Sequence, residues 1–208
     1  AAALPAVAQA PAWPTKAVRI VVPFAPGGTT DVMARTLAQA LTEALGQTVI
    51  VDNKPGASGN LAAGEVIKAA PDGYTLLIAP TSVETANPSL FKSNLLPSRD
   101  LAPVMSIGRT QMYLIARPTL DVKDARQLVA LAKSQPGKLS YASSGTGTPP
   151  QLAGELFKQS TGTFITHIPY RGAAPALQDV MASQADIAFD PGIAFPHIKA
   201  GRVKLLAV

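Results

Sequence analysis

Cysteine is absent from the 208 residues, which excludes disulfides, thiolate chemistry, Cys-based zinc sites and a lipid-modified N-terminal Cys. Histidine is nearly absent: His167 and His197 are the two present, far apart in sequence, so no metal site is expected. Aromatic residues make up 5% against a hydrophobic fraction of 47%, so a core must be built from Ala, Val, Leu and Ile. Charged residues are 15% of the chain, well below the usual quarter, which argues against disorder and against a nucleic-acid binder. No apolar run reaches the roughly 18–20 residues of a membrane-spanning helix.

What is present is a chain long enough for one large domain or two small ones. The net charge is +5, carried by dispersed residues. It gives either a mildly basic surface or long-range attraction for anionic solutes. Ala1–Ala10 (AAALPAVAQA) is small and apolar and ends in an A-x-A pattern. It reads as the tail of a secretory signal, with a mature start near Pro11.

The stretch Ile20–Leu45 sets the organisation. An apolar run, Val18–Val22, leads into a Pro/Gly hinge, Pro23–Gly28. Met33, Leu37, Ala40, Leu41 and Ala44 then recur at helical spacing, predicting a helix over Thr30–Leu45 that Gly46 stops. A strand, a Gly-rich turn and a helix leave free N–H groups at the positive end of the helix dipole, a place for an anion. Strands are further predicted at Thr48–Asp52 and Tyr74–Ala79, with a helix capped by Ser58 and running to Ala69 between them. Such alternation predicts a parallel sheet covered on both faces. Binding is then expected beyond the carboxyl ends of the strands, at Pro23–Thr30, Asp52–Ser58 and Pro80–Thr85.

A short helix is predicted near Asn87–Phe91. From Leu101 the pattern gives strands at Pro103–Ile107 and Met112–Ala116 and a helix at Asp124–Ser134. Next come a strand at Leu139–Ala142, a helix at Pro149–Ser160 and a strand at Phe164–Ile168. A helix at Ala173–Ala182, a strand at Ala185–Phe189, a helix at Ile193–Ala200 and a last strand, Val203–Val208, complete the chain. This is a second α/β unit. The expected division is lobe 1 over 11–102 and lobe 2 over 103–203, with 204–208 returning to lobe 1. The abrupt stop in an apolar strand suggests that the rest of lobe 1 lies beyond Val208.

Two loops carry the candidate chemistry. In Phe24-Ala25-Pro26-Gly27-Gly28-Thr29-Thr30, the glycines permit close backbone approach and the threonines can cap the helix or donate to an oxyanion. Asp31 would oppose an anion directly, so its side chain is expected to turn aside and brace the loop. In Ser144-Gly145-Thr146-Gly147-Thr148-Pro149, Thr148 and Gln151 fit a capping box and Pro149 falls at the first helical position. Neither loop is a dinucleotide fingerprint or Walker loop, and Gly56-Ala57-Ser58-Gly59 is one residue short of a hydrolase elbow. Asp190, at a strand end, either lines the cleft or caps the next helix. Arg171 either pairs with a carboxylate or is an ordinary surface residue, and His167 reads as structural.

The motifs VVPFAPGGTTDVMAR, VDNKPGASGN, APDGYTLL, LSYASSGTGTPPQLAGELFK, HIPYRGAAPALQDVMASQADIAFD and HIKAGRVKLLAV follow one another over Trp13–Val208. In order and approximate spacing they resemble the tripartite tricarboxylate transporter substrate-binding proteins, the Bug family of periplasmic solute receptors. The resemblance implies an α/β, type II periplasmic binding protein with two lobes and a ligand cleft between them. It implies a small carboxylate ligand: a di- or tricarboxylate, an acidic amino acid or an aromatic acid. It also implies membrane transporter subunits as partners, a monomer, no cofactor and no enzymatic activity. The binding positions implied are Phe24–Thr30, Thr81 and Ser82, Ser144–Pro149 and Asp190. The rival reading is an α/β enzyme acting on an anionic substrate. Its candidates would be Asp31, Asp190 and His167, none with a partner at informative spacing.

Overall fold

The computed structural model describes residues 13–93 and 96–208, so the leader-like stretch Ala1–Ala10 and the start near Pro11 lie outside the described residues. The first sheet has the order β2-β1-β3, with β1 at Val18–Val22, β2 at Val49–Asn53 and β3 at Thr75–Leu77. Both pairings are parallel, as expected for continuous apolar strands joined by helices. Helix α1 (Thr29–Leu45) ends on Gly46 in the left-handed conformation, the ordinary helix stop. Its Ala34 and Ala38 pack on Val18, Ile20 and Val22, while Val21 faces Ala62 and Val66 of α2 (Asn60–Ile67). Alternate residues of β1 thus enter opposite layers, and the sheet is covered on both faces.

Short helices α3 (Ser82–Thr85), α4 (Asn87–Leu90) and α5 (Pro97–Asp100) follow. Residues 102–112 then run without regular structure. The expected strand Pro103–Ile107 does not form. Val104 and Met105 are exposed, and no described strand lies beside them to take up backbone hydrogen bonds.

The second sheet has the order β6-β5-β7-β4-β8. Its strands are β4 (Tyr113–Ala116), β5 (Ser140–Ser143), β6 (Thr166–Pro169), β7 (Ile187–Asp190) and β8 (Lys204–Ala207). β5 pairs in parallel with β6 and β7, whereas β4 runs antiparallel to β7 and β8. One face buries Leu114, Tyr141, Ile187 and Phe189 under α6 (Ala125–Ser134) and α7 (Pro149–Thr161). The other buries Ile115, Ala142 and Ala188 under α8 (Ala173–Met181) and α9 (Phe195–Lys199).

The last strand corrects an expectation. β8 does not return to the first sheet; it lies on the edge of β4 and sends Leu206 into the second core. Gly201 N–H and Arg202 N–H close a tight turn on Ile198 and His197 carbonyls. The chain then passes β7, whose neighbouring position β4 already holds, and pairs on the other edge of β4.

Candidate functional site

The β1–α1 hinge is held from inside. Asp31, 3% exposed, accepts Gly27 N–H and Arg35 Nε, both at 2.9 Å, and Asn53 Nδ2 at 2.8 Å. Burial pushes this carboxyl upward, but the hydrogen bonds from Arg35, Gly27 and Asn53 outweigh it and hold it below the ordinary aspartate range. The bracing role expected of Asp31 is therefore observed, and it consumes one amide that had been assigned to an anion. The cap of α1 is Gly28, and neither Thr29 nor Thr30 serves as one. Thr29 Oγ1 instead donates to Pro191 O at 3.1 Å, and Ala25 N–H donates to Arg171 O at 3.0 Å. The hinge thus touches the second sheet's loops directly.

A cavity of about 470 Å³ opens beside this contact. The first-sheet side contributes Pro23, Phe24, the loop Pro55–Ser58, Leu61 and Phe91; the second contributes Ser144, Gly145, Thr146 and Pro169–Arg171. Of the predicted positions, Phe24, Ser144, Gly145 and Thr146 line it. Ala25–Thr30, Thr81, Ser82, Gly147–Pro149 and Asp190 do not. Missed residues include Leu61, Phe91 and Tyr170. Pro55–Ser58 carried a signal, since they follow the carboxyl end of β2. Ala57 and Ser58 hold φ of 45° and 51°, a conformation costly for non-glycine residues and concentrated at binding sites.

The second Gly-rich loop is differently wired from its capping-box pattern. Thr148 Oγ1 donates to Gly145 O at 2.6 Å and makes no bond to the helix start. Gln151 Oε1 accepts Gly147 N–H at 2.5 Å. Ser143 Oγ accepts Gly145 N–H at 3.1 Å. Pro149 and Pro150 have no N–H to offer. The N–H groups of Ser144 and Thr146 meet no acceptor among the described residues, and they flank the cavity. Arg171 is exposed at its rim, and its guanidinium makes no ion pair among the described residues.

Asp190 is 3% exposed and accepts Gly192 N–H and Ala194 N–H at 2.8 and 2.9 Å, which braces the turn before α9. The N-cap of α9 is Ala194 and takes no side-chain cap, so Asp190 neither lines the cavity nor caps the helix. Burial pushes its pKa up, and these amides only partly offset that. Among the described residues Ser58 makes no hydrogen bond to a histidine or an acid, its carbonyl accepting Asn87 Nδ2, and no metal-binding cluster occurs. No helix among them is long and apolar enough to cross a membrane.

Comparison with known proteins places this architecture. The family model described as tripartite tricarboxylate transporter family receptor matches residues 33–208. Protein BugT of Bordetella pertussis is 37% identical over 215 residues, covering 100% of this chain and 64% of its own length. R. palustris Rpa4515, solved with adipate, is 38% identical with a TM-score of 0.91. MatC from Rhodopseudomonas palustris, solved with bound malate, is 33% identical with a TM-score of 0.87. The alignments cover 94% and 93% of this chain and 66% of each solved chain, so this chain spans less than two thirds of each relative's length. On the matched family model and this likeness, the chain belongs to the tripartite tricarboxylate transporter receptor family, whose members are solute-binding receptors and not enzymes.

Proposed function

We propose that the protein is a periplasmic receptor that captures a small carboxylate in the cleft between its two sheets and presents it to membrane transporter subunits. The observation that carries this reading is the cavity of about 470 Å³ bordered by the unspent N–H groups of Ser144 and Thr146. Backbone donors hold an oxyanion without the desolvation cost of a buried cation. The ligand's body would rest on Phe24, Leu61 and Phe91. Relatives solved with adipate and malate support a carboxylate of this size.

In this reading lobe 1 spans 11–102, and lobe 2 runs from 103 through β8. Phe24–Thr30, Thr81, Ser82, Ser144–Pro149 and Asp190 shape the cleft, with Ser144, Gly145 and Thr146 in direct contact. The receptor acts as a monomer and closes about the ligand by hinge motion.

The test is a thermal-shift screen of the full-length protein against mono-, di- and tricarboxylates, with their uncharged amides as controls. A specific ligand at ~100-fold excess over Kd stabilises the native state by about 2.7 kcal/mol. A shift with an acid and none with its amide is expected. Equal shifts with both, or none with any acid, would remove the carboxylate reading.

A further inference from the structure

Behind the Ser144–Thr146 loop lies a polar chain that the binding reading does not use. β5 and β6 pair with Tyr141 opposite His167 and Ser143 opposite Pro169. Ser143 Oγ lies 2.7 Å from His167 Nε2, accepts Gly145 N–H at 3.1 Å, and sits 3.2 Å from Gly145 O. A hydroxyl has one proton to give. Gly145 O already accepts from Thr148 Oγ1 at 2.6 Å and from Thr148 N–H at 3.3 Å. The Ser143 proton therefore goes to the nearer His167 Nε2, and the neutral ring carries its own proton on Nδ1, a tautomer assigned from this network.

The ring stacks on Tyr141 with centroids 4.7 Å apart. Tyr141 donates to Glu155 Oε1 at 2.5 Å, and Lys158 Nζ pairs with the same carboxylate at 2.8 Å. Tyr141 of β5, with Glu155 and Lys158 of α7, are the titratable groups that bear on the ring. Burial is the largest influence and favours the neutral ring; Glu155 opposes it and Lys158 assists it.

We propose that His167 is a positioning residue that couples proton uptake to anion capture at Ser144–Thr146, acting through Ser143. The inference rests on the reading that this loop holds a carboxylate. When His167 gains a proton, Nε2 changes from acceptor to donor. Ser143 Oγ then accepts from His167 and from Gly145 N–H, and its own proton is left the weaker contact, the already shared Gly145 O at 3.2 Å. The loop stays clasped, and a positive charge stands one hydroxyl behind the amides that face the anion. A bound carboxylate stabilises that charge, and by reciprocity the charged ring tightens binding.

The experiment measures Kd of the full-length protein and its His167→Gln variant for adipate and for malate, between about pH 7.5 and about pH 4, a window carried below the ordinary histidine range because burial favours the neutral ring. Each ligand's own ionisation is common to both proteins and cancels in the ratio of their Kd values. The ratio, variant over wild type, is expected to grow about tenfold toward acid, the equivalent of a one-unit ligand-induced rise in the His167 pKa. In wild-type protein the His167 ring resonance, assigned against His197→Gln, should titrate correspondingly higher with ligand bound; this needs no His167 variant to fold. A ratio flat with pH, or a ring titration unmoved by ligand, overturns the coupling. Absence of binding by adipate and malate at every pH, together with a thermal screen in which no acid shifts the protein, removes the carboxylate reading, and this inference with it.

Discussion

Asp31 Oδ2 accepts the backbone N–H of Gly27 at 2.9 Å, so the turn that opens toward the cleft is closed by a carboxylate four residues along the chain. Asp31→Asn places a donor among the donors of Gly27, Arg35 and Asn53, and should cost about 1–3 kcal/mol. Because the native carboxyl is held below its unfolded value, its contribution is present above the unfolded pKa of about 3.9 and is lost as pH falls through the native one. Urea unfolding of wild type and variant should therefore differ at pH 7 and converge in strong acid. A constant difference down to the acid limit would contradict the assignment.

Gly154 lies in α7 against the ring of Tyr141, and a methyl there would sit 2.7 Å from its Cζ. Helix propensity alone favours alanine by about 1 kcal/mol. Overpacking a filled core costs about 1–3 kcal/mol, and Tyr141, 1% exposed and tied to Glu155, has little room to yield. Gly154→Ala should lower Tm in calorimetry; a raised Tm would show that the ring moves freely.

The sequence made the local elements legible where period and punctuation agree. The i, i+4, i+7 spacing from Met33 and the stop at Gly46 locate α1 to within one residue. Pro149 likewise marks the start of α7. Non-local pairing was not legible. Val203–Val208 reads as an apolar strand, but nothing in its composition says that β4 offers the open edge. Pro103–Ile107 is short and apolar enough to read as a strand, and it lacks a described partner. Thr148 and Gln151 have the capping-box spacing, yet Gly145 O and Gly147 N–H compete for their side chains and win. Likewise, Ser143 and His167 stand 24 positions apart and meet only through the β5–β6 register.

Arg171 tests how the anion is held. Its carbonyl is fixed by Ala25 N–H while its guanidinium stays at the exposed rim of the cavity. If the amides of Ser144 and Thr146 carry the carboxylate, Arg171→Ala should weaken binding by less than about tenfold, or about 1.4 kcal/mol, because an exposed charge acts through high-dielectric solvent. Calorimetric titration with the acid found in the thermal screen measures this. Complete loss would mean that a cation, not the backbone, holds the ligand.

Thr29 tests whether contact between the two sheets' loops contributes to capture. Its hydroxyl donates to Pro191 O, just beyond the Asp190 turn, whereas the adjacent Ala25–Arg171 bond is purely backbone and survives any side-chain change. Thr29→Val keeps the shape and removes the donor. A net hydrogen bond of this kind contributes about 0.5–1.5 kcal/mol, so affinity should fall roughly two- to tenfold. Most of that loss should appear as faster dissociation, because the bond forms only once the lobes have met. A stopped-flow series measuring kon and koff separates the outcomes. Slower association with unchanged koff would place the Thr29 contact before closure, and the hinge would then be preformed in the open receptor.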